Sequence, residues 1–305
     1  MPQTTPKQEF KDFQLPVIGK RWFYRVAQYP IPPEHIYDIE PHKELLNALT
    51  RKGVDLFTFI ERSFLGASKG NELGLFSNLE TIGLLRMKCF DEWFKSITHR
   101  ARQLTRKGQR MGLKVGVVDI NEDFLRSAFR IYNETPIRQG RKYSGFGLSM
   151  TDLRTKFSKM DDSEVIGAYF NNELVGLMWV GYGDRVATVN SFLSLISCRD
   201  KYYPNYALLA ETVKRSCEKG YKFLTYGNMG YNPGLDFFKK TNGFKIFAAP
   251  RYYVPLSAKG QLAIKLKLFQ PVEHSFSPTL TRALVPIYNI GNKLLPSHSN
   301  DHSDA

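Results

Sequence analysis

Cysteine is scarce: the 305 residues contain three, Cys89, Cys198 and Cys217. Their spacing fits neither a metal-ligand set nor a paired framework, so free thiols in a reducing compartment are expected and no metal site is. Long apolar runs are also absent. None approaches the roughly 20 residues that a spanning helix needs. The first thirty residues lack the apolar core of a signal peptide, because Lys7, Glu9, Lys11, Asp12, Lys20 and Arg21 are spread through them. The expected setting is cytoplasmic, with peripheral contact at the inner membrane face as a further option. Acidic residues are outnumbered, 29 against 43 Lys and Arg, for a formal charge of +14. Such an excess attracts polyanions: RNA, anionic lipid or a phosphate-rich cofactor. No Ser-His-Asp or Cys-His arrangement stands out.

What is present is the composition of a folded chain, 42% hydrophobic and 24% charged. Residues 1–40, with Pro30, Pro32 and Pro33 close together, read as an extended arm. Residues 41–111 read as an N-terminal subdomain ending in a basic helix. Its apolar face is Phe90, Trp93, Phe94, Ile97, Ala101, Leu104, Gly108 and Met111, spaced by threes and fours. Lys95, His99, Arg102, Arg106 and Arg110 form the opposite stripe. Seven Lys or Arg and no acid lie between Lys95 and Lys114, which suits either an RNA or anionic-lipid contact or a plain solvated face.

Residues 112–256 alternate in type. Strands are expected at 113–118, 164–170, 174–180, 185–196, 222–226, 245–247 and 252–255, and helices at 121–133, 151–158, 204–219 and 234–241. Asn171, Asn172 and Glu173 suit a tight hairpin turn, Pro204 a helix start and Gly220 a helix stop. Beyond 256, residues 257–296 read as a cationic amphipathic helical segment that packs on the main domain or touches a membrane surface, and 297–305 as a disordered tail.

This order, with the run Asn133-Glu134-Thr135-Pro136-Ile137-Arg138-Gln139-Gly140-Arg141, the run Asp200 to Leu209 and Phe237-Phe238-Lys239-Lys240-Thr241-Asn242-Gly243-Phe244, resembles the GNAT acyltransferase superfamily. Within it, the likeness is to the Fem-type branch of aminoacyl-tRNA-dependent peptidyl transferases. It covers about residues 90–256. The resemblance implies an α/β mixed sheet of GNAT type with a small N-terminal extension. It implies an enzyme moving an acyl or aminoacyl group from acyl-CoA or aminoacyl-tRNA to an amine, with no tightly bound cofactor. A non-catalytic module that binds RNA or an anionic membrane through its basic helix is the alternative. Acetyl-CoA-dependent members carry a glycine-rich loop whose amides approach the pyrophosphate. Here Arg199-Asp200-Lys201-Tyr202-Tyr203-Pro204-Asn205 has no glycine and a proline without an amide donor.

The superfamily needs no covalent nucleophile, and a tyrosine commonly acts as its acid. Tyr226 or Tyr231 is the candidate acid, with Asn228 beside them at a strand end, although Tyr226 would equally suit plain packing. Lys239 matches the lysine of the Fem-type Phe-Lys turn and could neutralise a phosphate or an oxyanion. Lys201, Tyr202 and Asn205 are donor-binding candidates, and Asn205 could instead cap a helix. Arg138, Gln139 and Arg141 border the acceptor site in the resemblance, where two guanidinium groups could clamp a carboxylate or phosphate. Cys198 reads as an inert thiol and His99 as a surface residue.

Overall fold

The computed structural model describes residues 17–21, 23–28, 43–60, 75–143, 145–158, 162–183 and 186–269. One ten-stranded sheet runs through all of it. In chain order its strands are β1 (Val17–Arg21), β2 (Tyr24–Gln28), β3 (Leu56–Ile60), β4 (Phe76–Arg86), β5 (Lys114–Val117), β8 (Ser163–Phe170), β9 (Glu173–Tyr182), β10 (Val186–Ser194), β11 (Phe223–Asn228) and β12 (Lys245–Pro255). Two short strands, β6 (Ile137–Arg138) and β7 (Arg141–Lys142), form a separate hairpin.

Across the sheet the order is β1-β2-β3-β12-β4-β11-β10-β9-β8-β5. Its two ends mirror each other. Reading inward from β1, the pairings run antiparallel, parallel, antiparallel to β12. Reading inward from β9, they run antiparallel, parallel, antiparallel to β4. The parallel pairs need crossover helices. These are α1 (Lys43–Arg51) between β2 and β3, and α6 (Ile196–Tyr202) with α7 (Pro204–Glu218) between β10 and β11. β12 and β4 pair at the centre, each lying against the other end's parallel strand. The mixed α/β architecture expected from the sequence is therefore present. The extended arm is revised within 17–28, whose apolar Tyr24, Val26 and Ala27 are buried in the sheet.

Helices cover both faces at the β8–β11 end. Gly176 and Met178 of β9 face α7: a Cβ on Gly176 would lie 3.1 Å from a Leu208 methyl, and Thr212 Oγ1 donates to Met178 Sδ at 2.9 Å. Their alternating neighbour Trp179 points the other way, toward α4 (Glu122–Tyr132) and α5 (Met150–Ser158). Phe124, Leu125, Ala128, Ile131 and Tyr132 form the apolar stripe of α4, and Asn121 caps it by accepting Phe124 N–H at 2.9 Å. Asn171 and Asn172 have φ of 49° and 64°, the left-handed pair that a two-residue hairpin uses, so the β8–β9 turn is as expected.

Three expectations are corrected. The helix over 90–111 is two, α2 (Phe90–Ser96) and α3 (His99–Arg110). The chain is extended at Ile97 and Thr98, where Thr98 Oγ1 accepts Ala101 N–H at 3.3 Å and Arg102 donates back to the Lys95 carbonyl at 2.7 Å. The strands at 245–247 and 252–255 are one strand. Pro250 is tolerated because the β3 ladder begins only at Arg251, so no bond to β3 is lost there. The end of the strand expected at 185–196 turns into α6. Of the C-terminal segment, α9 (Ala258–Lys265) packs on β12, β2 and β3. Residues 1–16, 29–42 and 270–305 lie outside the described residues.

Candidate active site

The parallel strands β10 and β11 pair at three positions only, Val186↔Phe223, Ala187↔Leu224 and Thr188↔Thr225. A hydrogen bond of 2.9 Å between the buried Thr188 and Thr225 hydroxyls ends the contact. Beyond it the strands part. β10 stays with β9, while β11 follows β4 through a bulge between Thr225 and Asn228 at which Gly227 takes φ of 45°. Aromatic rings enter the wedge so formed. Phe192 of β10 lies 5.6 Å from Tyr226 and 5.9 Å from Phe238, and Tyr206 of α7 lies 5.2 Å from Phe238.

Lys239 lies at the base of this group. It belongs to the last turn of α8 (Pro233–Thr241), which Asn232 caps by accepting Leu235 N–H at 3.2 Å. Lys239 is 1% exposed. Its ammonium donates to the Asn228 carbonyl at 2.7 Å and stands 4.3 Å from the Tyr226 ring centroid. Burial lowers its pKa to about 8, against a smaller opposing pull from Asp236. Gly83 of β4 makes room for it, since a Cβ there would lie 3.1 Å from the Tyr226 carbonyl and 3.4 Å from Lys239 Cδ. Asp236 Oδ2 accepts the amides of Gly230 and Asn232 at 3.0 and 3.2 Å, holding the loop before α8, while its buried Oδ1 has no hydrogen-bond partner. Burial raises the Tyr226 pKa, so the phenol is neutral.

Tyr226, Asn228 and Lys239 are therefore brought together, Asn228 through its carbonyl rather than its exposed side chain. Tyr231 is on the exposed turn before α8. Gln139 reaches the same loop, accepting from Asn232 Nδ2 at 3.2 Å, from a left-handed backbone position with φ of 54°.

Arg138 makes its side-chain bonds within the fold. Its Nη1 donates to the Ser194 carbonyl at 2.9 Å, and its Nη2 to the Ile131 carbonyl at 2.6 Å and Glu134 at 3.2 Å, so both Nη groups are used inside the fold. The Arg141 side chain lies outside the described residues. Lys201 is exposed, with its ammonium 5.0 Å from the Tyr202 ring, which stacks on Phe170 at 3.9 Å. Asn205 is the second residue of α7, behind Pro204, and does not cap it; its Oδ1 is buried without a hydrogen-bond partner.

The stretch 195–205, through α6 and into α7, contains no glycine. Glu134 accepts the Ile196 amide at 2.8 and 2.9 Å. Pro204 contributes no N–H. Among the described residues no cluster of three or more His, Cys, Asp or Glu could hold a metal, and no helix is long and apolar enough to cross a membrane. Sequence reasoning missed Glu134 and Asp236 as partners. The signal was there in their spacing, four residues before Arg138 and three before Lys239.

No family model matches the chain, and no curated protein matches it in sequence. Solved structures do match in fold. L-PGS from Bacillus licheniformis is 15% identical, covering 82% of this chain and 84% of its own, with a TM-score of 0.54. FemX is 14% identical, covering 82% and 85%, also at 0.54. A C-terminal domain from Agrobacterium fabrum, assigned as a lysylphosphatidylglycerol synthetase, is 15% identical, covering 81% and 82%, at 0.54. The chain has a GNAT fold. Within the GNAT architecture, the wedge between β10 and β11 is the opening in the sheet at the strand pair around which the described site is built.

Proposed function

We propose that the chain is an acyltransferase that moves an aminoacyl group from the ester of an aminoacyl-tRNA to an amine. The observation that carries this reading is Lys239, a buried ammonium held on one carbonyl at the base of the aromatic group beside the parting strands. An ammonium has three donors. One goes to the Asn228 carbonyl, and the rest are available to the oxyanion that forms when an amine attacks an ester carbonyl. In that step the C–N bond forms, the C–O bond to the ribose breaks, the amine nitrogen gives up a proton and the ribose oxygen takes one, so a group that donates to the oxygen is reprotonated by the amine. Preorganised donors of this kind stabilise developing charge without reorganisation. Tyr226, kept neutral by burial, is the candidate proton source.

Two features support an RNA ester over a thioester of CoA. Glu134 and Pro204 remove amides from the loop that a pyrophosphate would need. The outward residues of α3, with Arg100, Arg106, Lys107 and Arg110 exposed and no acid among them, suit a phosphate backbone. The name of the lysylphosphatidylglycerol synthetases gives their product, an aminoacyl ester of a lipid headgroup, so phosphatidylglycerol vesicles belong in the assay beside amines. A cytoplasmic setting, with contact at the inner membrane face, accords with these substrates.

The test is a transfer assay with radiolabelled aminoacyl-tRNA, acetyl-CoA and longer acyl-CoAs, run with wild type and Lys239→Met. Transfer from tRNA that is lost in the variant is the expected result. Turnover with acyl-CoA alone would reassign the donor. Binding of RNA that ignores aminoacylation, with no turnover, would make the chain a non-catalytic RNA-binding module.

A further inference from the structure

A second lysine is set among rings on the opposite face of the sheet. Lys156 extends from α5 over the α4 side, with its ammonium 5.5 Å from the Trp179 ring centroid and 5.9 Å from that of Tyr132. Tyr132 is 2% exposed, and its hydroxyl shares a 3.0 Å hydrogen bond with Ser191 Oγ of β10. Among the described residues Lys156 has no hydrogen bond or ion pair, and burial lowers its pKa with no carboxylate to offset it. Four acids of the surrounding elements are bonded elsewhere. Glu122 binds Arg154 at 2.7 and 3.0 Å, Asp152 takes the Ser149 amide and hydroxyl at 2.8 and 2.7 Å, and Glu134 holds Arg138 and Ile196. On the other face Glu164 is held by Arg215 and Lys219.

A half-buried ammonium without a counter-charge is costly, and an arriving anion removes that cost. The two rings favour a ligand whose anion is attached to an apolar or planar body, and the Tyr132–Ser191 hydroxyl pair can rotate to donate to an oxygen. We infer that Lys156, Trp179, Tyr132 and Ser191 form a binding site for a carboxylate or phosphate monoester carried on an apolar or aromatic group. Ser191 precedes Phe192, whose ring enters the wedge from the other face. A ligand on Lys156 would therefore lie behind β10, whose Phe192 ring is 5.6 Å from Tyr226. Its use as the acceptor's anchor rests on the transfer reading above; the site itself does not.

The test uses benzoate and phenyl phosphate as anionic probes and benzyl alcohol as the neutral control, in calorimetric titration of the full chain. Saturable binding of at least one anion, weakened tenfold or more in Lys156→Met and restored in part by Lys156→Arg, is expected. Preference between the two anions tells a carboxylate from a phosphate. In wild type the bound anion should protect Lys156 from trinitrobenzenesulfonate, read by peptide mass spectrometry, which keeps the test open if a variant misfolds. No saturable anion binding to wild type, equal affinity in Lys156→Met, or equal binding of benzyl alcohol overturns the site. Once transfer is established, an acceptor KM unchanged in Lys156→Met removes the anchor role alone. Absent transfer with intact anion binding refutes the transfer reading and leaves the site standing.

Discussion

Two buried cations, Arg251 at the centre of the sheet and Lys239 of α8 beside the parted strands, are treated in opposite ways. Arg251 of β12, 6% exposed, lies where β12 meets β3 and β4. Its guanidinium bonds Glu80 through Nε at 2.6 Å and Nη2 at 3.1 Å, and Thr58 through Nη1 at 3.3 Å. Lys239, at the parted pair β10 and β11, has a carbonyl and a ring and no salt bridge. The first is a closed, bidentate pair that joins strands β3, β12 and β4. The second keeps its charge incompletely satisfied, which costs stability at that point and leaves donors for a ligand. Such departures from full pairing mark sites where stability has been given up for function.

The largest expected effect falls on the closed pair. Arg251→Met should lower stability by about 3–5 kcal/mol, because Glu80 is left without its partner; a denaturation midpoint equal to that of wild type would show that the pair does not hold the seam. Lys239→Met should behave in reverse. Stability holds or rises, while kcat/KM for transfer falls by about 10²–10³-fold, the cost of removing one oxyanion donor. If Lys239 acts as the cation, kcat/KM declines as pH rises through about 8. A rate that climbs there would make the lysine a base instead.

A third network sharpens the contrast. Glu164 bonds Arg215 twice at 2.8 Å and Lys219 at 3.0 Å, which holds its pKa down at about 2. Its folded pKa is below its unfolded value, so its contribution is complete above about 4.5 and is lost as pH falls toward 2. Glu164→Gln should cost about 2 kcal/mol at neutral pH and flatten the acid limb of a pH–stability curve; an unchanged limb would assign acid sensitivity elsewhere. The smallest effect belongs to α3. Arg100→Gln with Lys107→Gln should weaken RNA binding and reduce the log–log salt slope by about 1–2. An unchanged slope would remove this surface from the RNA path.

Much of the β8–β11 end was legible because its elements announce themselves locally. Asn121 before a 3–4 apolar stripe, Asn171-Asn172 between two alternating runs and Pro204 at a helix start are each decided by neighbours within a few residues. The break at Thr98 was hidden, because the apolar spacing continues through it; a cap and a hydrogen bond from Thr98 N–H to the distant Thr241 carbonyl separate α2 from α3. β12 was read as two strands because Pro250 is a local breaker, and only its position outside the β3 ladder makes it harmless. In the candidate site, Lys239, Tyr226 and Asn228 were visible as a constellation. The bonds of Arg138 were not legible, because its partners, the carbonyls of Ile131 and Ser194, are backbone atoms that no side-chain pattern reveals.

By itself the sequence determined the excess of positive charge, most of the elements over 113–255 and the residues able to carry a charge at the wedge. These follow from composition and from contacts a few residues long. Tertiary structure alone decided that β4 and β12 lie together at the centre of one sheet, and which cations are paired. Pairing of that kind depends on what arrives from residues far away in the chain: Glu80 reaches Arg251, while among the described residues Lys239 donates to the Asn228 carbonyl and lies on the Tyr226 ring without a salt bridge. The difference between a structural cation and one available for chemistry is therefore set by long-range packing.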